Sequence, residues 1–466
     1  MVGDLPINLN TDNSELILRT IVVIGTISAA VSLFSPNPLL CVPAFVTLYF
    51  IVRSIFLSKY LTGFLLAFVY QWIQVSIKPI YANLTFQEVS ELTSYPDYIV
   101  PCYLLCSVGL VIITLAINVF LSKIDFDDEA ISELTDSVSI KRLLIAYFFV
   151  GIFTSLLPFS LYQIAVQISA FKWGIFYIIF ICSYNRHKGI WIIIALILFE
   201  FVLGFASYFS TWKDVIFYTV ISSLTVIKMA PRKILLFVAS MLAFVYLGLL
   251  WTGVKGDYRT YIGQGSKQVM AVSKADALMK MVDLAGEFNL NEQVKKSFID
   301  RISYIDYFSA CMSHVPSVVQ HENGRLTAQA IKHVLVPRFL DNNKAVIDES
   351  THLTKYTGVF FSNLSMGVSF SLGYFGDLYV DFGEIGMLVA LFLLGLLIGA
   401  VFWDVYRHIN NGLISAALMQ MSFFLLCKFE ISLIKLIGTL IMFWIIYRVM
   451  SAYVFPKFSE WITIDE

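Results

Sequence analysis

The sequence predicts an all-α polytopic membrane protein, with about twelve transmembrane helices and one large extracytoplasmic loop containing short helices. Three observations predict it. Hydrophobic residues fill 58% of the 466 positions, at a mean hydropathy of +0.78; apolar runs near bilayer length recur along nearly the whole chain; and Lys and Arg collect on alternate connections between them. A soluble domain of this length has no interior large enough to hide so much apolar surface. The net charge of -1 speaks against a nucleic-acid partner, which calls for a basic surface to displace condensed counterions.

A span takes about 20 apolar residues. The opening stretch MVGDLPINLNTDNSE is acidic and has neither a basic start nor a small-residue cleavage site, so the first run, 16–33, is expected to stay as a membrane helix. Further runs lie near 38–57, 60–79 and 99–122, then 143–160, 163–184, 189–210, 213–229 and 233–252, and finally 383–404, 412–428 and 431–450. Arg53 with Lys59, Lys123 with Lys141 and Arg142, Arg186 with Lys188, Lys228 with Arg232 and Lys233, and Arg407 fall on alternate connections. The short connections at 35–38, 83–97 and 156–163 contain no Lys or Arg. Because basic loops stay on the cytoplasmic side, both termini are placed there. The one long polar excursion, from about Lys255 to about Asp381, is placed outside, which in a bacterial cell is the periplasmic face of the inner membrane. The chain then divides into a membrane domain over 1–252 with about nine helices, a periplasmic loop over 253–382 that is the candidate active-site region, and carboxy-terminal helices with a cytoplasmic tail over 383–466. The six cysteines lie mostly inside apolar runs, with Cys311 alone in the loop, so no disulfide framework or zinc site is encoded.

Two stretches of the loop read as helical. Val294, Phe298, Ile302, Ile305, Phe308 and Met312 recur at three- and four-residue steps, predicting one helix over 291–312 with a narrow apolar stripe. Arg301 falls inside that stripe, where a guanidinium needs a carboxylate partner or an anionic ligand to offset its desolvation. The second stretch runs from Arg325 to Asn343. Pro337 is expected to stop its helix, leaving Arg338 at the exit and Lys344 nearby on the turn-rich DNNK. Arg and Lys gathered just above a membrane suit phosphate groups, the planar fork of Arg matching phosphate oxygens and Lys adding a mobile point charge. Anionic lipid headgroups attract the same side chains. Within the apolar runs, Glu200, Gln71 and Gln74 stand out as polar groups at costly depth; a contact with Lys172 or Lys213 accounts for Glu200. Lys213, beside Trp212 at the outer end of its run, reaches toward a substrate cavity on the alternative reading.

From Gly367 to Gly386 the run GVSFSLGYFGDLYVDFGEIG is dense in glycine and aromatic residues. Glycine permits close approach or a bend there, and Tyr and Phe belong to the interfacial belt. The D-L-Y-V-D-F-G-E-I-G lead into a late helix, after a long external loop with P-R-F-L-D-N-N-K, resembles the Wzy-type O-antigen polymerases, part of a larger group of bacterial surface-polysaccharide polymerases and ligases. The order of parts agrees over the whole chain, and the sequence pattern over about 336–400. The resemblance implies glycosyl transfer between two polyprenyl-diphosphate-linked oligosaccharides, with no metal or other cofactor. Its partners are those carrier-linked glycans, membrane lipids and, in such systems, a chain-length regulator protein. The transfer needs charge stabilisation at the departing diphosphate and a proton acceptor for the attacking hydroxyl. Arg301, Arg338 and Lys344 are the first candidates for the diphosphate, followed by Arg259 and Arg325, with Lys213 as a secondary site. Of the loop histidines His314, His321, His333 and His352, His333 shares a helix side with Leu326 and Ala330 and ranks first as the base. Asp341, Asp377 and Asp381 stay open for that role. The competing functions are a ligase joining finished polymer to lipid A core and a lipid-linked oligosaccharide flippase; the absence of internal repeats argues against the latter.

Overall fold

The computed structural model describes residues 9–157, 161–205, 211–226, 231–264, 270–335, 348–360 and 369–464. These residues are helical almost throughout, and the one extended pairing among them is an isolated antiparallel bridge between Val138 and Thr463. The chain folds as two compact units, the first built from 1–182 and 303–466 and the second from 183–302.

The first unit opens with α1 (Leu9–Ser32), α2 (Val42–Ile55), α3 (Thr62–Thr85) and α4 (Pro96–Leu121), followed by the short polar α5 (Asp128–Ser137), α6 (Ile140–Leu156) and α7 (Tyr162–Asn185). The second unit holds α8 (Ile190–Phe205), α9 (Trp212–Val226), α10 (Pro231–Gly263), α11 (Lys274–Glu287) and α12 (Glu292–Ile302). The chain then adds α13 (Ile305–His314), α14 (Arg325–Leu335), α15 (Glu349–Thr357), α16 (Gly373–Tyr406), α17 (Gly412–Gln420), α18 (Ser422–Leu426), α19 (Leu433–Tyr453) and α20 (Phe455–Ile462) to the first unit. Local chemistry sets many of these starts. Asp127 accepts from the amides of Glu129 and Ala130 to begin α5, Ser139 from Arg142 to begin α6, and Asn411 from Ile414 to begin α17.

Among the described residues six helices are long and apolar enough to cross a membrane: Ser14–Ser32, Lys59–Thr85, Pro96–Leu121, Ile164–Asn185, Gly373–Tyr406 and Leu433–Tyr453. That set fits a multi-pass membrane protein. The described parts of the remaining apolar windows also fall on helices, among them the shorter Val42–Ile55, Ile190–Gly204 and Gly412–Leu426. Large apolar side chains face outward along α1, including Val22, Val23 and Ile27, and along α6, including Phe149 and Ile152, as lipid-facing surfaces do.

At the centre of the first unit α16 runs against α4. The contact is close because Gly395 and Gly399, a Gly-x-x-x-Gly step, sit on the backbone of α4: an added Cβ would come within 2.7 Å of the Ile113 carbonyl and 2.8 Å of the Ile117 carbonyl. Gly383 (φ 68°, ψ -170°) interrupts α16, so a helical segment precedes the apolar stretch that the sequence places at 383–404. The residues from Gly373 to Asp381 are all buried.

One face of α3 anchors this packing. Gln71, Gln74 and Lys78 are buried at three- and four-residue steps. Gln71 donates to the Leu426 carbonyl and accepts from the Tyr374 hydroxyl at 2.7 Å. The Gln74 side chain donates to Glu430 at 2.9 Å and accepts from the Phe429 amide at 3.0 Å, while its carbonyl takes the Tyr304 amide at 2.9 Å. Lys78, with its side chain 3% exposed, holds both carboxylate oxygens of Asp306, at 2.7 and 2.8 Å, and the Leu92 carbonyl.

Those bonds explain one correction. The single helix expected over 291–312 is two helices, α12 and α13, broken at Ser303 and Tyr304. The Tyr304 amide bonds to Gln74 instead of continuing α12, and Phe308 is fully buried while Phe298 packs over Gly248 of α10. No continuous stripe exists, and Arg301, at the end of α12, is exposed rather than set in a buried face.

Candidate functional site

The second unit gathers cations. The length of α10 lets it carry Lys255 and Arg259 one helical turn apart on one face. α11 packs on the same helix through Trp251, Val254 and Tyr258 against Ala277, Met281 and Leu284. α12 reaches α10 where two glycines leave room, Gly248 under Phe298 and Gly253 under Phe288 and Val294. This brings Arg301 from the end of α12 into the electrostatic reach of Lys255, together with Arg259 and with Lys213 from the start of α9. Asp214 acts on Lys213 from within the same group. Burial first, then the charges of Arg301, Arg259 and Lys213, press the Lys255 ammonium down to about 8. Lys213, Lys255, Arg259 and Arg301 thus share one region of the unit with Asp214, and guanidiniums and ammoniums grouped in this way match the oxygens of a phosphate or diphosphate.

The first unit holds a separate group of acids around α14, α15 and the first turns of α16. Asp377 accepts from the Leu433 amide at 2.8 Å with one oxygen, and its other oxygen lies 3.7 Å from His352 Nε2. That nitrogen is buried and makes no hydrogen bond, although the His352 side chain as a whole is 29% exposed. Its outward edge therefore lies elsewhere on the ring, which also packs edge-on to Tyr356 at 4.8 Å. Burial, then the nearby Lys355 ammonium, lowers the His352 pKa below its ordinary value, so the imidazole is neutral and able to accept a proton near neutral pH. Glu349, on the same face of α15 one turn earlier, accepts from Ser369 at 3.1 Å and from Ser432 and Lys435. Glu322 closes the outer side: it takes Arg325 Nε at 2.6 Å, Lys355 Nζ at 2.7 Å and the Tyr356 hydroxyl at 2.6 Å. The hydrogen bond from Arg325, which outweighs the opposing effect of burial, and those from Lys355 and Tyr356 hold its carboxyl down at about 2. Asp381, fully buried, binds the amides of Leu326 and Thr327 and the Thr327 hydroxyl, tying the start of α14 to α16.

Of the residues singled out in the sequence, Lys213, Arg259 and Arg301 come together, and Lys255, which sequence reasoning passed over, joins them. Its signal was the i, i+4 spacing to Arg259. Arg325 lies in the first unit as the ion-pair partner of Glu322. His333 is half-buried on α14, about two turns beyond Arg325. Asp377 and Asp381 are occupied with the amides just described. α14 ends at Leu335, ahead of Pro337; Arg338, Asp341 and Lys344 lie outside the described residues. Cys311 and the five other cysteines are buried thiols, and among the described residues no group of three or more His, Cys, Asp or Glu side chains is arranged to hold a metal ion.

The chain belongs to the family described as "Domain of unknown function (DUF8712)", whose model matches residues 81–455. No curated protein and no solved structure matches it.

Proposed function

We propose that this member of the family polymerises polyprenyl-diphosphate-linked oligosaccharide repeat units into a surface polysaccharide, at the periplasmic face of a bacterial inner membrane. On this reading about twelve helices cross the bilayer, both termini are cytoplasmic and the loop over 253–382 is periplasmic. The observation that carries it is the convergence of Lys213, Lys255, Arg259 and Arg301 from three separate helices. A hydroxyl of the acceptor repeat attacks the anomeric carbon of the growing glycan. The bond from that carbon to the carrier's diphosphate breaks, the diphosphate leaves with the electron pair, and the hydroxyl proton passes to a base. Cations fixed in advance around the departing group lower the barrier, because they need no reorganisation as charge develops. Within the first unit, His352 is a better-supported proton acceptor than His333, since Asp377 lies 3.7 Å from its ring and part of the ring remains open. Arg325 serves indirectly, by holding Glu322 against Tyr356 and so fixing α15.

The test uses a strain lacking the gene, complemented with wild-type or variant protein, with surface glycan resolved by length. Lys255→Gln/Arg259→Gln is expected to stay in the membrane at wild-type level and to give glycan of a single repeat unit. Wild-type ladders from that variant overturn the assignment of the cations. In the uncomplemented strain, full-length but unattached glycan points to the ligase instead, and carrier-linked units accumulating in the cytoplasm point to the flippase.

A further inference from the structure

The C-terminal ends of α2, α4 and α16 come together in the first unit, at the opposite end of α4 from Lys78 and Asp306. Asn118 donates to the Ser54 carbonyl, the Tyr406 hydroxyl donates to the Asp125 carbonyl, and Phe126 lies between the rings of Tyr60 and Tyr406 at 4.9 and 5.3 Å. Beside them opens a cavity of about 380 Å³, within the usual span of ligand pockets of roughly 300–1,000 Å³.

Its walls divide by chemistry. Arg53, Asp125 and Asp128 supply charge, Ser14 and Ser58 supply hydroxyls, and Val52, Phe56, Leu57 and Phe126 supply apolar surface. Asp128 is 3.0 Å from Lys59, which lies over the Tyr60 ring. Among the described residues the Arg53 guanidinium and the Asp125 carboxylate have no ion-pair or hydrogen-bond partner. The pocket therefore offers one uncommitted cation and one uncommitted anion, with a second carboxylate whose charge Lys59 shares. A ligand that satisfies both carries a negative and a positive group on one short link. A purely anionic ligand meets two carboxylates, and a purely cationic one meets Arg53.

The depth of the pocket says where such a ligand comes from. At the same helix ends the Lys123 ammonium lies over Phe120 at 4.6 Å and over Trp403 at 5.3 Å, and the Arg407 guanidinium lies over Trp403 at 4.6 Å. Trp and Tyr interleaved with Lys and Arg at the ends of apolar helices mark the layer where lipid headgroups sit, and the apolar wall adjoins that layer.

We propose that this pocket binds the headgroup of an amine-bearing zwitterionic phospholipid, with the phosphodiester on Arg53, the ammonium on Asp125 and Asp128, and the first part of the lipid tails along Val52, Phe56 and Leu57. A primary ammonium has three N–H donors for the carboxylates, whereas a trimethylammonium has none, so the site distinguishes phosphatidylethanolamine from phosphatidylcholine. Each charge-assisted hydrogen bond lost weakens binding by about tenfold.

The experiment uses the full chain purified in mild detergent and titrated separately with short-chain phosphatidylethanolamine, phosphatidylcholine and phosphatidylglycerol, with bound lipid counted by native mass spectrometry. One equivalent of phosphatidylethanolamine is expected to be held about tenfold more tightly than either other lipid, and Asp125→Asn and Arg53→Gln each to weaken it by about tenfold. Asp125→Asn changes an exposed side chain, so it keeps the test decisive if Arg53→Gln lowers the yield. Equal retention of the three lipids, or retention unchanged by Asp125→Asn, overturns the proposal. Free phosphoethanolamine is expected to compete poorly because it lacks the tails; competition at parity with the lipid would assign the pocket to a soluble phosphoamine and overturn the lipid assignment.

Discussion

Replacing Asp381 by alanine removes a helix cap supplied from 55 residues away in sequence. α14 begins at Arg325, so Leu326 and Thr327 are its second and third residues, whose amides have no carbonyl of their own helix to bind. Asp381 supplies the acceptors instead, at 2.9 Å to Leu326 and 2.6 Å to Thr327, with a third bond of 2.6 Å from the Thr327 hydroxyl. An N-cap is worth about 1 to 2 kcal/mol, and a shielded donor left without an acceptor costs about 1 to 3 kcal/mol. Since α14 is only half-buried, water reaches part of what is stranded, and a total near 3 kcal/mol is reasonable on those figures. At about 1.4 kcal/mol per factor of ten, the opening equilibrium of α14 should rise about a hundredfold. Amide hydrogen exchange on the detergent-solubilised protein reads this directly: peptides covering 325–335 should exchange about a hundredfold faster. Peptides covering α15, capped by its own Asp348, should keep their wild-type rate. Asp381→Asn keeps one acceptor and should show about half the effect in free energy. Unchanged exchange in α14 of a folded Asp381→Ala protein would refute the argument that this carboxylate holds the helix.

Three further outcomes follow from the same geometry. Gly373→Ala places a Cβ 2.7 Å from both the Phe429 carbonyl and the Tyr304 hydroxyl, at a φ of +82°; a backbone atom cannot yield, so a cost of several kcal/mol and loss of the protein from the membrane fraction are expected. Lys78→Met strands Asp306 and should destabilise by about 3 to 5 kcal/mol in thermal unfolding, with Lys78→Met/Asp306→Asn recovering much of it; a double variant as unstable as the single one argues against the pairing. His352 has its pKa lowered in the fold, so the unfolded chain takes up the proton first, and its contribution to stability is present above about pH 6.5 and lost as pH falls from there through the lower folded-state value. If it is the base, the acid limb of the polymerisation rate lies below pH 6.5, and Lys355→Gln moves it upward by removing a neighbouring positive charge.

Much of the helical framework was legible in composition and periodicity, because an apolar run of bilayer length has few alternatives to a helix. The glycine-rich run before 386 also announced its role, as Gly373 and Gly383 adopt positive φ there. The break at Tyr304 was not legible, since the carbonyl that takes its amide belongs to Gln74, and periodicity within 291–312 carries no trace of a partner more than two hundred residues away. The same reason separates the two histidine assignments. His333 earned its rank from neighbours on its own helix, whereas what distinguishes His352 is Asp377, 25 residues on and brought back by the turn of the chain. Likewise Lys213, Lys255, Arg259 and Arg301 are ordinary charges one by one, and become a group through the packing of Phe298 and Val294 on the glycines of α10.

The segment ahead of Gly383 is surrounded by protein, with Tyr379 bonded to the Val315 carbonyl at 3.0 Å, Asp377 to Leu433 and Asp381 to α14. Such a segment cannot roll against its neighbours as a lipid-facing helix can, because each few degrees of rotation would sever several of these bonds at once. It acts as a fixed post, and any rearrangement that admits a bulky chain must be borne by the elements leaning on it.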